Sequence, residues 1–199
     1  MKSSQLFAHP LLTLPNLLTC FRFVATPFLL GFAWMGWGVA FLILLAVCFL
    51  TDMLDGWAAR RTGQVSEFGA VLDSWADVII YLTISLCCWW LWPALVTREW
   101  LSVSLTVGSC LVPAWVGFYK FGCFTSYHTW TVKLAVVTTG FTLYLLVLGG
   151  PAWPFRLSAL ICLLAAIEEI GLTFLLSEPK ADIRSIWCIV KALSKSKTG

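Results

Sequence analysis

Residues 39–92 read VAFLILLAVCFLTDMLDGWAARRTGQVSEFGAVLDSWADVIIYLTISLCCWWLW, two apolar runs separated by a short charged turn. Asp52 and Asp55 stand three apart at the end of the first run, and Asp73 and Asp77 four apart at the start of the second. In helices, each pair falls on one face. The connecting RRTGQVSE is short enough to make the two runs an antiparallel hairpin, which brings all four carboxylates together at one membrane boundary.

The rest of the chain repeats the apolar pattern. Its 199 residues are 60% hydrophobic and 12% charged, with a mean hydropathy of +0.88, whereas soluble domains carry about 25% charged residues. A membrane-spanning helix needs ~20 mostly apolar residues, and six such runs are expected: 17–34, 39–57, 68–92, 101–119, 130–148 and 155–176. Trp34, Trp37, Trp92, Trp100, Tyr119, Trp130 and Trp153 mark their ends, where amphipathic rings settle at headgroup level. The expected fold is all-α and integral to the membrane. Residues 1–177 form the membrane domain, with a short amphipathic segment over Leu6–Leu14 lying along the interface, and 178–199 form a cytoplasmic tail.

Orientation follows from the basic residues. With a cytoplasmic amino terminus, eleven of the thirteen lie at or near cytoplasmic ends, and only Arg98 and Arg156 fall on the other side. Both termini and the carboxylate-bearing turn then face the cytoplasm, which in a bacterial cell makes the inner membrane the expected location. No signal-peptide cleavage site of convincing form follows the first apolar run, so the amino-terminal segment is read as mature structure. The eight cysteines show no CxxC spacing and read as packing residues. The net charge of +3 is too small and dispersed for nucleic acid, while bases beside apolar runs suit an anionic lipid surface.

Four carboxylates at membrane depth repel one another and would be forced to protonate unless cations lay between them. An oxygen-only donor set favours a hard ion, Mg²⁺ or Mn²⁺, with positions left for phosphates and water. The competing structural reading, helix caps with surface ion pairs, must bear the cost of burying four acids. Nearby, Gly56, Ala59 and Gly69 allow a ligand or a facing helix close approach, and the Arg60 guanidinium matches phosphate oxygens.

The segment DMLDGWAARRTGQVSEFGAVLDSWAD (52–77) resembles the CDP-alcohol phosphatidyltransferase signature at every fixed position. Upstream, LPNLLTCFR (14–22) more loosely resembles the start of that family. The resemblance implies transfer of a phosphatidyl group from CDP-diacylglycerol to an alcohol with release of CMP, by a homodimer within the membrane. It makes Asp52, Asp55, Asp73 and Asp77 the metal site and Asp77 also the base that takes the acceptor proton. Asn16, Thr19, Gly56, Ala59, Arg60, Ser66 and Gly69 are placed around the CDP moiety. For Asn16 and Thr19 an ordinary helix start, with Arg22 snorkelling to the interface, explains the residues equally well.

The acceptor is the open part of this reading. Lys120, His128 and Lys133, in YKFGCFTSYHTWTVK (119–133), fall at the cytoplasmic ends of the fourth and fifth runs, where positive charge would suit a phosphorylated acceptor. Topology signalling explains the lysines equally well. Glycerol 3-phosphate comes first, inositol or inositol phosphate second, serine or another amino alcohol third. Ser74 and Val78 depart from the Pro and Lys usual at these places in phosphatidylglycerophosphate synthases, which weakens the first choice. A cation transporter is the rival from another class, but it would need polar residues along several spans, and the first, fourth and fifth contain no acids.

Overall fold

The computed structural model describes residues 14–62, 67–122 and 129–176, and within them the side chains outside 14–16, 52–53, 55–62 and 67–74. The described residues are helical and contain no strand. Seven helices follow in order: α1 (Leu14–Trp34), α2 (Gly38–Thr62), α3 (Glu67–Leu91), α4 (Pro93–Arg98), α5 (Trp100–Phe121), α6 (Trp130–Val147) and α7 (Trp153–Leu175). Each of the six apolar runs lies on one long helix. The short α4 is an addition to the expected set: Pro93 occupies its first turn, where a missing N–H costs nothing, and Glu99 ends it after six residues. The segment 6–13 and the tail 178–199 lie outside the described residues.

Four helices are long and apolar enough to cross a membrane, through Leu17–Trp34, Trp100–Phe121, Trp130–Val147 and Trp153–Leu175. The apolar stretches Gly38–Thr51 of α2 and Trp75–Leu91 of α3 are shorter, because the rest of each helix carries charged residues, Asp52, Asp55, Arg60 and Arg61 on α2 and Glu67 and Asp73 on α3. Large side chains such as Val24, Phe28, Val137, Phe141, Leu164 and Phe174 are exposed, as lipid-facing residues are. The exposed rings of Trp34, Trp37, Trp100, Tyr119, Trp130 and Trp153 stand at helix ends.

The helices fall into two compact units, residues 1–91 and 92–199. In the first, α1 packs against both α2 and α3. The three-residue turn from Met35 to Trp37, with Gly36 at φ +73, reverses the chain and makes α2 antiparallel to α1. Toward α3 the contacts ascend together. Arg22 meets Asp77, the Cys87 thiol donates to the Leu29 carbonyl at 3.7 Å, and Trp34 meets Trp90 edge to face at 5.4 Å, so α1 and α3 run parallel. Small or compact buried residues, Ala25, Ala33, Cys48 and Ala76, let these backbones approach.

In the second unit α7 is the common partner of α5 and α6. Its α6 face is joined by two intramembrane contacts, Thr139 to Cys162 at 3.1 Å and Thr142 to Ser158 at 3.0 Å, whose numbering runs in opposite senses, as in antiparallel helices. Polar contacts at both ends tie α5 to α7. At the first end Glu99, its side chain 2% exposed, accepts from Arg156 Nε at 2.8 Å and Nη2 at 3.0 Å and pairs with Arg98 at 3.3 Å. Arg156 thus holds the Glu99 carboxyl below the usual glutamate range, against the opposing effect of burial. At the other end Lys120 Nζ donates to the carbonyls of Thr173 (2.8 Å), Phe174 (3.3 Å) and Leu176 (2.8 Å), acceptors that the end of α7 leaves without helical partners. Helices α5 and α7 are therefore parallel.

Candidate active site

The expected acids sit on two helices that share α1 as neighbour: Asp52 and Asp55 on α2, Asp73 and Asp77 on α3. Of the four, Asp77 has a described side chain. It is 38% exposed, and Arg22 Nη1 donates to its Oδ1 at 2.6 Å. Arg22 is buried to 2% and lies within electrostatic range of the buried Cys48 on α2. The Arg22 side chain thus joins α1 to the acid-bearing α3.

From this level the helical register orders the rest. Asp52 follows Cys48 by one turn of α2 and Asp55 follows by nearly two, while Asp73 precedes Asp77 by one turn of α3. Along α1, Thr19 precedes Arg22 by about a turn and Asn16 precedes Thr19 by another. Because α2 is antiparallel to α1 and α3 parallel to it, all these steps lead toward the amino end of α1. Thr19 is buried there, at 3% exposure. Among the described residues no group of three or more His, Cys, Asp or Glu is poised to hold a metal. The side chains of Asp52, Asp55 and Asp73 are outside that set.

Of the residues expected around CDP, Asn16, Gly56, Ala59, Arg60 and Gly69 lie on the described backbone of α1, α2 and α3, and Ser66 lies outside the described residues. His128 is also outside. Lys120 and Lys133 belong to the second unit, Lys120 on the carbonyls that end α7 and Lys133 with its ammonium 5.4 Å from the Trp130 ring. Lys133 stands in the first turn of α6, which Thr129 caps by accepting from the Val132 N–H at 3.3 Å. What the sequence reading missed is the pairing of Arg22. A signal was present, since a cation several residues inside an apolar span is as costly as an acid there and calls equally for a partner.

A family model described as CDP-alcohol phosphatidyltransferase matches residues 12–175. The chain belongs to the CDP-alcohol phosphatidyltransferase family. This transferase is similar to the CDP-diacylglycerol–glycerol-3-phosphate 3-phosphatidyltransferase of Salmonella choleraesuis, with 33% identity over 129 residues, 54% of this chain and 69% of that protein. The Escherichia coli K12 protein of the same name is 30% identical over the same shares. A Drosophila melanogaster protein named "Probable cardiolipin synthase (CMP-forming)" is 41% identical over 80 residues, 39% of this chain and 25% of that protein. No solved structure is significantly similar to the transferase. The matched region contains α1 to α7 and therefore all four acids.

Proposed function

We propose that this transferase moves the phosphatidyl group of CDP-diacylglycerol to glycerol 3-phosphate and releases CMP, using Asp52, Asp55, Asp73 and Asp77. The observation that carries the acceptor is the similarity to bacterial enzymes whose names specify glycerol 3-phosphate, over more than half of this chain. It outweighs the departures at Ser74 and Val78. The site is supported by the register of the two acid-bearing helices about α1 and by the Arg22 contact that fixes the level of Asp77.

Carboxylates alone on the two helices that flank α1 form a donor set suited to Mg²⁺ or Mn²⁺, with Asp52, Asp55 and Asp73 as the main ligands and Asp77 at the edge of the set. Such an ion, when bound, neutralises charge on the diphosphate and on the departing CMP. The chain's own part is to hold the CDP moiety among Asn16, Thr19, Gly56, Ala59, Arg60, Ser66 and Gly69 and to place the acceptor hydroxyl beside Asp77. Asp77 takes the hydroxyl proton while the hydroxyl oxygen bonds to the phosphorus bearing the diacylglycerol. The bond from that phosphorus to the CMP oxygen breaks, and CMP leaves with the electron pair. Lys133, and Lys120 if drawn off the α7 carbonyls, would attract the acceptor's own phosphate.

The arrangement in the cell belongs to the same proposal: six spans, α1 to α3 and α5 to α7, and two copies associated in the inner membrane. Both termini and the four acids face the cytoplasm. Purified protein incubated with CDP-diacylglycerol and a panel of alcohols tests the reaction. CMP release that depends on glycerol 3-phosphate is expected, and release with inositol or serine instead would overturn the acceptor.

A further inference from the structure

Arg22 is more deeply placed than an arginine serving orientation alone, which would reach outward to the headgroups. At 2% exposure its guanidinium stays inside, and Nη1 reaches Asp77 Oδ1 at 2.6 Å, the short distance of a charge-assisted hydrogen bond. The helices that carry the two partners are close-packed at this level. Thr26 Oγ1 donates to the Arg22 carbonyl at 2.9 Å, and buried Ala25 and Ala76 keep α1 and α3 close beside the pair. Farther along, the Leu29–Cys87 and Trp34–Trp90 contacts fix the register of the two helices. An aspartate's carboxylate plane otherwise turns through a broad range, because its terminal torsion has no sharp wells.

We propose that Arg22 is the positioning residue for Asp77, holding one carboxylate oxygen so that the acceptor hydroxyl meets the group in a single orientation. This rests on the reading of Asp77 as base. Arg22 acts through Asp77 and touches neither substrate, so its loss affects the rate of the chemical step. Donor and acceptor binding are left nearly as they were. Misplacing a reacting group by about 1 Å is enough to cost on the order of a hundredfold in rate.

The test uses full-length protein in lipid nanodiscs, with CDP-diacylglycerol, glycerol 3-phosphate and added Mg²⁺ or Mn²⁺, and four variants: Arg22→Met, Arg22→Lys, Asp77→Asn and the double Arg22→Met/Asp77→Asn. Arg22→Met should lower kcat about a hundredfold and leave both KM values within about threefold, a change within roughly 0.7 kcal/mol. Arg22→Lys, which keeps the charge on a different geometry, should recover about tenfold of that loss. In the Asp77→Asn background the Arg22 substitution should slow turnover no further, because the group it positions is already gone. Unfolding midpoints of the metal-free proteins supply a readout apart from activity and should show the same non-additivity.

Three results decide against the proposal in distinguishable ways. Folded Arg22→Met with kcat within twofold of the unmodified enzyme overturns the positioning role alone. Equal slowing by Arg22→Met in both backgrounds assigns Arg22 to general structure. Undiminished turnover in Asp77→Asn removes the base reading and this proposal with it. If Arg22→Met yields no folded protein, Arg22→Lys carries the test, with about a tenfold fall in kcat at unchanged KM expected and an unchanged kcat overturning it.

Discussion

Asp77 is the residue at which structure and proposed chemistry meet most directly, because it has both a described contact and a proposed role. Replacing its carboxylate by an amide keeps the size and removes the proton acceptor. Asp77→Asn should therefore still bind CDP-diacylglycerol through the other three acids while losing nearly all turnover, checked by donor titration beside CMP release. Turnover comparable to the unmodified enzyme would take Asp77 out of that role. Lys133 gives a second prediction at this scale. Its ammonium rests near the Trp130 ring, a contact weak enough to release, whereas Lys120 is engaged by three carbonyls. Lys133→Ala should raise the KM for glycerol 3-phosphate about tenfold, in keeping with a lost charge-assisted contact, with little change for the donor. Equal shifts in the two KM values would show that Lys133 serves the fold.

Among the helices, the two ends of α5 and α7 are joined by different chemistry, and the difference is testable by pH. The Arg156 hydrogen bonds lower the Glu99 pKa in the folded protein, so its contribution to stability is full above the ordinary glutamate value of ~4.3 and is lost as pH falls through the folded value. Glu99→Gln should unfold at a lower temperature than the unmodified protein at pH 7, and the gap should close on acidification below that range, as followed by thermal unfolding in detergent. A gap unchanged down to pH 3 would mean that Glu99 acts by shape alone. The same cluster shows where the sequence was legible and where it was not. Arg98 and Arg156 were the two exceptions to the positive-inside pattern, and both pair with the buried Glu99, which offsets part of their charge. Charge counting along the chain cannot see such pairing. Hydropathy revealed the six long helices because each carries an extended apolar run, in four of them long enough to cross a membrane and in α2 and α3 shorter, but it concealed α4, whose six residues leave no periodic signal. The acids were visible as isolated charges in apolar runs, whereas the Arg22–Asp77 contact depends on how α1 lies against α3 across 55 residues of sequence.

For the molecule as a whole, the proposal ties chemistry to one side of the membrane. Helix α1 runs away from the side that holds Thr19 and the end of α2, and the parallel α3 runs with it, so the acids of α2 and α3 lie toward the amino end of α1. The proposed orientation makes that face cytoplasmic, because Arg60 and Arg61 lie at the end of α2 and most of the remaining basic residues are expected on the same side. The join between α4 and α5, reached after α3 has crossed, should face the opposite side. A single cysteine introduced at Gln64 should then be labelled by a membrane-impermeant maleimide only after the cells are opened, and one at Thr97 should be labelled in intact cells, each in a background lacking the eight native cysteines. The reverse pattern would place the acids outside, away from the cytoplasmic supply of nucleotide-activated lipid, and would refute the proposed orientation together with the assignment of the site to cytoplasmic substrates. Metal dependence provides the companion measurement in opened membranes. Four acids cannot hold a diphosphate among them without cations, so chelation should abolish CMP release and added Mg²⁺ or Mn²⁺ should restore it. Full turnover in chelator would leave the clustered carboxylates without the role that justifies placing them at membrane depth.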